Sequence, residues 1–147
     1  MPGVRGEVEW VEQGPDGAAV ASGRARNLFL DQGRSAFAGW ARGLITGGLR
    51  PHYIHFGTGT AQPAVTQSNL QFLVTSKTAS AAVVENSFTA RISVTLAGNE
   101  MTGVIRELLL SDGPAGNVGT AYARALLSAQ HNSGNTLVVH WRQAMQA

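Results

Sequence analysis

Two neighbouring runs of alternating apolar and polar residues place the strongest constraint on how this 147-residue chain can fold. From Phe88 to Leu96 every second residue is apolar, and the residues between them are Thr, Arg and Ser. Successive side chains of a β-strand point to opposite faces, so this pattern is typical of a strand with one buried face. Residues 97–99 form a turn signal, and Met101–Ser111 alternates again. The two runs predict an antiparallel hairpin whose second strand is central, because residues 108–110 are apolar on both faces.

Four other regions of the chain are predicted to form strands. In the first region, Val4, Val8 and Trp10 alternate with charged residues, and the turn signal of residues 13–17 predicts a hairpin with a second short strand over 18–22. Residues 72–76 are a plausible strand as well. Residues 121–127 and 136–142 predict two more, although the alanines of the former also suit a helix.

One segment has the period of a helix. Asp31 can cap its start, and apolar residues then recur at positions three and four apart. These positions are Phe37, Trp40, Ala41, Leu44 and Ile45. The pair Gly47-Gly48 predicts the end, so we expect one helix over residues 32–46 with its apolar side packed on the sheet.

These elements predict a mostly β fold of the α+β class. The order of strand, helix and several turn-linked strands favours an antiparallel β-sandwich or barrel with one packed helix and an N-terminal arm or hairpin. We expect residues 1–26 to form the arm and residues 27–147 to form the β-rich core domain. The arm's apolar face, made by Val4, Val8 and Trp10, is too small to fold alone, so the hairpin must pair with the body of the domain or with a neighbouring subunit. An unpaired strand invites pairing with another chain, which favours the second. These three residues are therefore the predicted interface.

The segment Gly57-Thr58-Gly59-Thr60, closed by Pro63, follows an apolar strand that ends at Phe56. Glycine-rich turns after strands can hold phosphates, but a P-loop or a dinucleotide site needs a further glycine or a lysine at fixed spacing. Neither follows here. We therefore interpret Gly57, Thr58, Gly59, Thr60 and Pro63 as a structural turn in which the glycines adopt positive φ or allow a close approach.

Composition and motifs argue against catalysis, metal binding and nucleic-acid binding. The chain has no cysteine, a net charge of +2 and single, scattered Lys and Arg residues, so neither a thiolate metal site nor nucleic-acid binding is expected. His52 and His55 point to opposite faces of one strand, and His131 and His140 suit solvated or core-rim positions. No nucleophile or zinc motif occurs. We expect no catalytic, cofactor-binding or metal-binding residues, no enzyme activity, no cofactor and no membrane span, in a protein made in the cytoplasm.

The combined pattern resembles a class of small structural proteins of tailed bacteriophages. The residues that carry the resemblance are Asn27, Gly33-Arg34, the strand and turn Tyr53–Thr60, Pro63, Thr66, Leu70, the strand Ile105-Arg106-Glu107-Leu108-Leu109-Leu110 and the closing strand Leu137–Arg142. The shared features are a Gly-Thr-Gly-Thr turn after a strand, an Ile-x-Glu-Leu-x-Leu strand and a terminal apolar strand with Trp.

The resemblance implies a binding role without catalysis, on the virion. It favours a capsid decoration protein that cements the head surface, with a tail, baseplate or tail-fibre-associated protein as the alternative and a ligand-binding module or enzyme as a distant one. The implied partners are the chain itself, with a trimer favoured, and the major capsid protein or another virion protein.

Overall fold

The structure, a computed structural model, describes residues 3–43, 51–86 and 89–146. Among these residues the chain forms nine strands and one helix. In chain order they are β1 (Gly3–Gln13), β2 (Ala19–Phe29), α1 (Asp31–Ala41), β3 (Tyr53–Gly57), β4 (Leu73–Thr78), β5 (Ala81–Asn86), β6 (Thr89–Leu96), β7 (Gly103–Ser111), β8 (Ala121–His131) and β9 (Thr136–Gln146).

All nine strands belong to one antiparallel sheet in the order β4-β3-β7-β8-β2-β1-β9-β6-β5. The sheet is curled into a half-barrel. The prediction of a mostly β fold with one helix is confirmed. The strand β2 joins the two halves of the sheet, because residues 19–26 pair with β1 and residues 27–29 pair with β8.

The main core lies between the two halves of the curled sheet. Apolar side chains of β1, β6 and β9 on one half meet those of β3, β7 and β8 on the other. A second cluster contains Leu30, Leu70, Leu109, Val118 and Ala121. Since Leu108 and Leu110 belong to the main cluster and Leu109 to the second, the prediction that β7 is central and covered on both faces is confirmed.

The N-terminal hairpin is in the middle of the sheet. Along its whole length, from Gly3 opposite Gln146 to Gln13 opposite Thr136, β1 pairs with β9, and β2 lies on its other side. Val8 is fully buried and Trp10 is 9% exposed, both in the main core. The prediction of a separate interface arm is therefore wrong for Val8 and Trp10.

The same correction applies to the backbone at the start of β1. Val4 pairs with Met145 of the same chain, and its side chain is outside what the structure describes. The expected boundary after residue 26 falls inside β2. Alternation showed correctly that β1 has one buried face, but the period of two is the same for an edge strand and a central strand.

The helix is shorter than predicted. It ends at Ala41, and Gly43 follows with a φ of 73°, a left-handed conformation that terminates helices. The predicted continuation of the helix through residues 42 and 43 is therefore wrong. Residues 44–46, with Leu44 and Ile45, and the side chain of Trp40 lie outside the described part of the chain. The helix packs on β8 through Gly33, where an added Cβ would lie 2.7 Å from the carbonyl oxygen of Tyr122. None of the helical segments that the structure describes has the length and apolar character needed to cross a bilayer.

The two edge strands of the sheet, β4 and β5, are consecutive in the chain. The connection is Ala79-Ser80, whose N–H groups donate to the carbonyl oxygens of His52 (2.6 Å) and Ser93 (2.8 Å). The curl thus brings the two ends of the sheet together at this connection. The strand predicted over 72–76 corresponds to β4, whereas β5 was not predicted.

Candidate functional site

The carboxylate of Glu107, on β7, is the centre of the polar interior. Its side chain is fully buried, and four N–H donors surround its two oxygens. Oε1 accepts from the backbone N–H groups of Gly59 (3.0 Å) and Phe72 (2.7 Å), and Oε2 accepts from the N–H of Gln71 (3.1 Å) and from Arg124 Nη2 (2.6 Å). One carboxylate therefore joins β7, β8, the Gly-Thr-Gly-Thr turn and the chain entering β4.

Arg124, on β8, completes this arrangement from the other side. Its side chain is also fully buried. Nη1 donates to the carbonyl oxygen of Ala61 (2.7 Å) and to Gln67 Oε1 (3.3 Å), while Nε is buried without a hydrogen-bond partner. We call Glu107, Arg124 and the groups they bind the Glu107–Arg124 hub. The hub holds residues 57–72 in one conformation.

Close approach explains both glycines of the turn. A Cβ added at Gly57 would lie 2.4 Å from the carbonyl oxygen of Phe72, and one at Gly59 would lie 2.5 Å from Cβ of Gln71. Neither glycine has a positive φ. Of the two reasons considered for these glycines, close approach is the one the structure supports, since Glu107 and residues 71–72 need the space that a side chain would fill.

The N–H groups of the turn already have acceptors within the chain. Gly59 donates to Glu107, and Thr60 and Ala61 both donate to Gln71 Oε1 at 3.0 Å. A phosphate would need these same donors. The predicted turn residues Gly57, Thr58, Gly59 and Thr60 thus surround a carboxylate of the protein itself, and Pro63 directly precedes the turn that Gln67 closes on Ala64.

The hub keeps Glu107 ionised despite its burial. Burial raises the pKa of the Glu107 carboxyl, but Arg124 and the N–H groups of Phe72, Gln71 and Gly59 together outweigh burial and hold the pKa below its usual range. The hub is therefore a buried ion pair whose carboxylate is fully hydrogen-bonded.

Comparisons found no match for this chain among protein-family models, curated proteins or solved structures. Its chemistry therefore has to be read from its own residues. In the described ranges, no group of three or more histidines and carboxylates is placed to hold a metal ion.

His55, on β3, links two serines in the interior. Nδ1 contacts Ser76 Oγ, and Nε2 lies 2.7 Å from Ser111 Oγ, whose hydroxyl donates to the carbonyl oxygen of Gly113 at 2.9 Å. Because Ser111 donates to Gly113, it accepts from Nε2, and the neutral Nδ1 accepts from Ser76. Burial lowers the pKa of His55 and favours this neutral form, while Gly113 opposes the shift.

His131 is buried, contrary to the expectation of a solvated or core-rim position. It ends β8, with Nδ1 3.0 Å from Glu12 Oε2 and Nε2 2.8 Å from the carbonyl oxygen of Ala97. Both neighbours of the ring nitrogens are oxygens that can accept a hydrogen bond. Glu12 also accepts from the N–H of Asn132 (2.9 Å), and this cluster ties the end of β1 to the β6–β7 and β8–β9 turns.

Arginines that are scattered in the sequence lie together on the outer face of β2, β1, β9 and β6. This charged outer face also carries three glutamates, and its charged residues are Arg5, Arg24, Arg26, Arg91, Arg142, Glu7, Glu9 and Glu85. Arg142 is shared between Glu9 (3.7 Å) and Glu85 (3.1 Å). An open groove of about 400 Å³ lies beside Arg5, Arg26 and Arg142. Sequence spacing alone did not reveal this cluster, because its members come from five strands.

Proposed function

We propose that this protein is a structural component of a tailed bacteriophage particle, and that it decorates the capsid by binding its outer surface without catalysis. One observation supports this proposal above others. The two most distinctive parts of the phage-like pattern, the turn Gly57–Thr60 and the strand Ile105–Leu110, are joined directly by the hydrogen bond from Gly59 N–H to Glu107 Oε1. The motif thus acts as one architectural unit, and its polar groups are used to hold the fold.

The proposed partners are copies of the chain itself and the major capsid protein or another virion protein. The arm that argued for contacts between copies is internal, since β1 pairs with β2 and β9 of its own chain. The argument for a trimer weakens with it. We keep the homo-oligomer as the proposal, and contact between copies then requires a surface other than the hairpin.

Particles of the phage that encodes this chain provide the test. We expect mass spectrometry of gradient-purified particles to detect the protein at many copies per virion, and immunogold labelling to place it over the head. Purified full-length chain should also co-sediment with capsids that lack it. Absence of the protein from intact particles would refute a virion role. Labelling confined to the tail or baseplate would refute decoration and favour the alternative location.

A further inference from the structure

Apolar side chains are exposed at the start of the edge strand β4 and directly before it. Phe72 is 60% exposed and Val74 is 53% exposed. The backbone of Phe72 is nevertheless held on both sides, since its N–H donates to Glu107 Oε1 (2.7 Å) and its carbonyl oxygen accepts from Thr58 N–H (3.1 Å). A fixed backbone reduces the freedom that a residue loses on binding, and aromatic residues are prominent among those that dominate interfaces.

The chain segment that contains Phe72 has no charged residue. Residues 51–76 contain no Asp, Glu, Lys or Arg, although the whole chain has twenty such residues among 147. The exposed neighbours are Thr58, Thr60 and Gln71. Depletion of charged residues distinguishes the centre of protein interfaces from the remaining surface. We name Thr58, Thr60, Gln71, Phe72 and Val74 the β4 edge surface.

The position of β4 at the end of the strand order adds a second feature to this surface. Among the described strands, β4 pairs only with β3, so its other side is an edge of the sheet. An edge strand presents N–H and C=O groups that an extended segment of another chain can pair with.

We propose that the β4 edge surface binds the same surface of a second copy of this chain, with the two β4 strands antiparallel about a two-fold axis. Identical surfaces that meet must tolerate their own charge, and this surface has none. The charged outer face, with five arginines against three glutamates, would repel its own copy. In the two-fold arrangement, the Phe72 and Val74 side chains of both copies come together, and such aromatic–β-branched pairs are favourable between neighbouring strands.

This inference deepens the proposed function and rests on its homo-oligomer. The two can fail separately, because self-association is measured in solution without any particle. A chain that dimerises through β4 but binds no capsid would refute only decoration. A monomer that decorates capsids would refute the homo-oligomer and the present inference but leave decoration standing.

The first test compares two exposed apolar residues by sedimentation equilibrium of the full chain. Phe72→Ser should weaken self-association by about tenfold or more, and Val20→Ser should leave it unchanged. Val20 is a matched control because it is 61% exposed but lies near the tip of the hairpin. Circular dichroism should show that both variants are folded. A monomeric wild type at high concentration, or equal effects of the two substitutions, would overturn the proposal.

The second test uses the absence of cysteine from the chain. Val74→Cys treated with a short bis-maleimide should give a covalent dimer, because a residue close to a two-fold axis meets its own copy. Val83→Cys, on the opposite edge strand β5 and 41% exposed, should stay monomeric on a denaturing gel. Cross-linking through residue 83 but not through residue 74 would place the contact between copies on β5 instead of β4, and would refute the proposal.

Discussion

The Glu107–Arg124 hub and the charged outer face use the same kinds of side chain under opposite conditions. In the hub, guanidinium and carboxylate are both fully buried, with 2.6 Å between Nη2 and Oε2. On the outer face, Arg24 lies 2.9 Å from Glu9 Oε2, but its side chain is 68% exposed. Water solvates the exposed charges in the unpaired state, whereas it cannot reach the hub. The number of ion pairs therefore says less about this fold than their burial does.

A buried pair is costly to assemble and more costly to break. Its desolvation offsets most of the attraction between the charges, so the hub adds specificity to the position of residues 57–72 more than it adds net stability. Removal of one partner leaves a charge buried without compensation. The two regions should consequently differ most when a single arginine is removed from each.

The largest effect is expected for Arg124→Met. The substitution leaves the Glu107 carboxylate buried without its guanidinium, and should lower the free energy of unfolding by about 3–5 kcal/mol in urea titrations. The double variant Glu107→Gln/Arg124→Met should be less destabilised than Arg124→Met alone, because no unpaired charge remains. If Arg124→Met alone had wild-type stability, the buried hub would not differ from the charged outer face in the cost of losing an arginine.

The second effect tests the space around the hub. Gly57→Ala places a Cβ 2.4 Å from a backbone oxygen and should cost about 1–3 kcal/mol as an overpacking change. Gly116→Ala is the matched control, since nothing lies within 4 Å of its added Cβ and its φ is not positive. Equal unfolding free energies for the two variants would contradict the close approach.

The third effect is a pH dependence of the folding stability, which we expect from the buried His55. Burial lowers the pKa of His55 in the folded state, so protons bind the unfolded chain more readily. Its stabilisation is complete above the unfolded pKa of about 6.5 and is lost as the pH falls below it. We expect calorimetric melting temperatures to fall from pH 7 to pH 5, with a shallower slope for His55→Gln. An unchanged slope in that variant would assign the dependence to other groups.

The pKa of Glu107 extends the same argument to lower pH. It is held below its usual range in the folded state, so its stabilisation is present above about pH 4.3 and is lost as the pH falls through the folded value.

The smallest effect is expected for Arg24→Gln on the outer face. Arg24 contacts Glu7 at 3.6 Å and Glu9 at 2.9 Å, but solvent screens both pairs. The loss should stay below about 1 kcal/mol and should shrink further in high salt. A loss as large as that of Arg124→Met would show that burial does not decide the cost of removing an arginine in this protein.

Local sequence patterns predicted where the strands of this fold lie better than they predicted which strands pair with each other. Alternation located β6, β7 and β9 and the turn at residues 57–60, because period and turn chemistry act over a few residues. It could not show that β1 is central, because hydrogen bonding on both sides depends on β9, which follows more than a hundred residues later.

The polar interior was the least predictable part for the same reason. Glu107 meets Gly59 across 48 residues of sequence, and His131 meets Glu12 across 119. Neither contact has a local signal. The position of Glu107 between Ile105 and Leu109 on one face of the predicted strand was the one available sign that it needs a buried partner.

The pairing of β1 with β9 also has a consequence for the order in which the molecule is built. The hairpin of β1 and β2 leaves the ribosome before the other strands of the sheet, yet the far side of β1 stays open until β9 has been synthesised. Contacts between such distant segments make folding slow. During that interval Val8 and Trp10 lack their core neighbours Trp141 and Val139. We expect an exposed apolar face of this kind to be the part of the nascent hairpin that a chaperone binds, until β9 is complete.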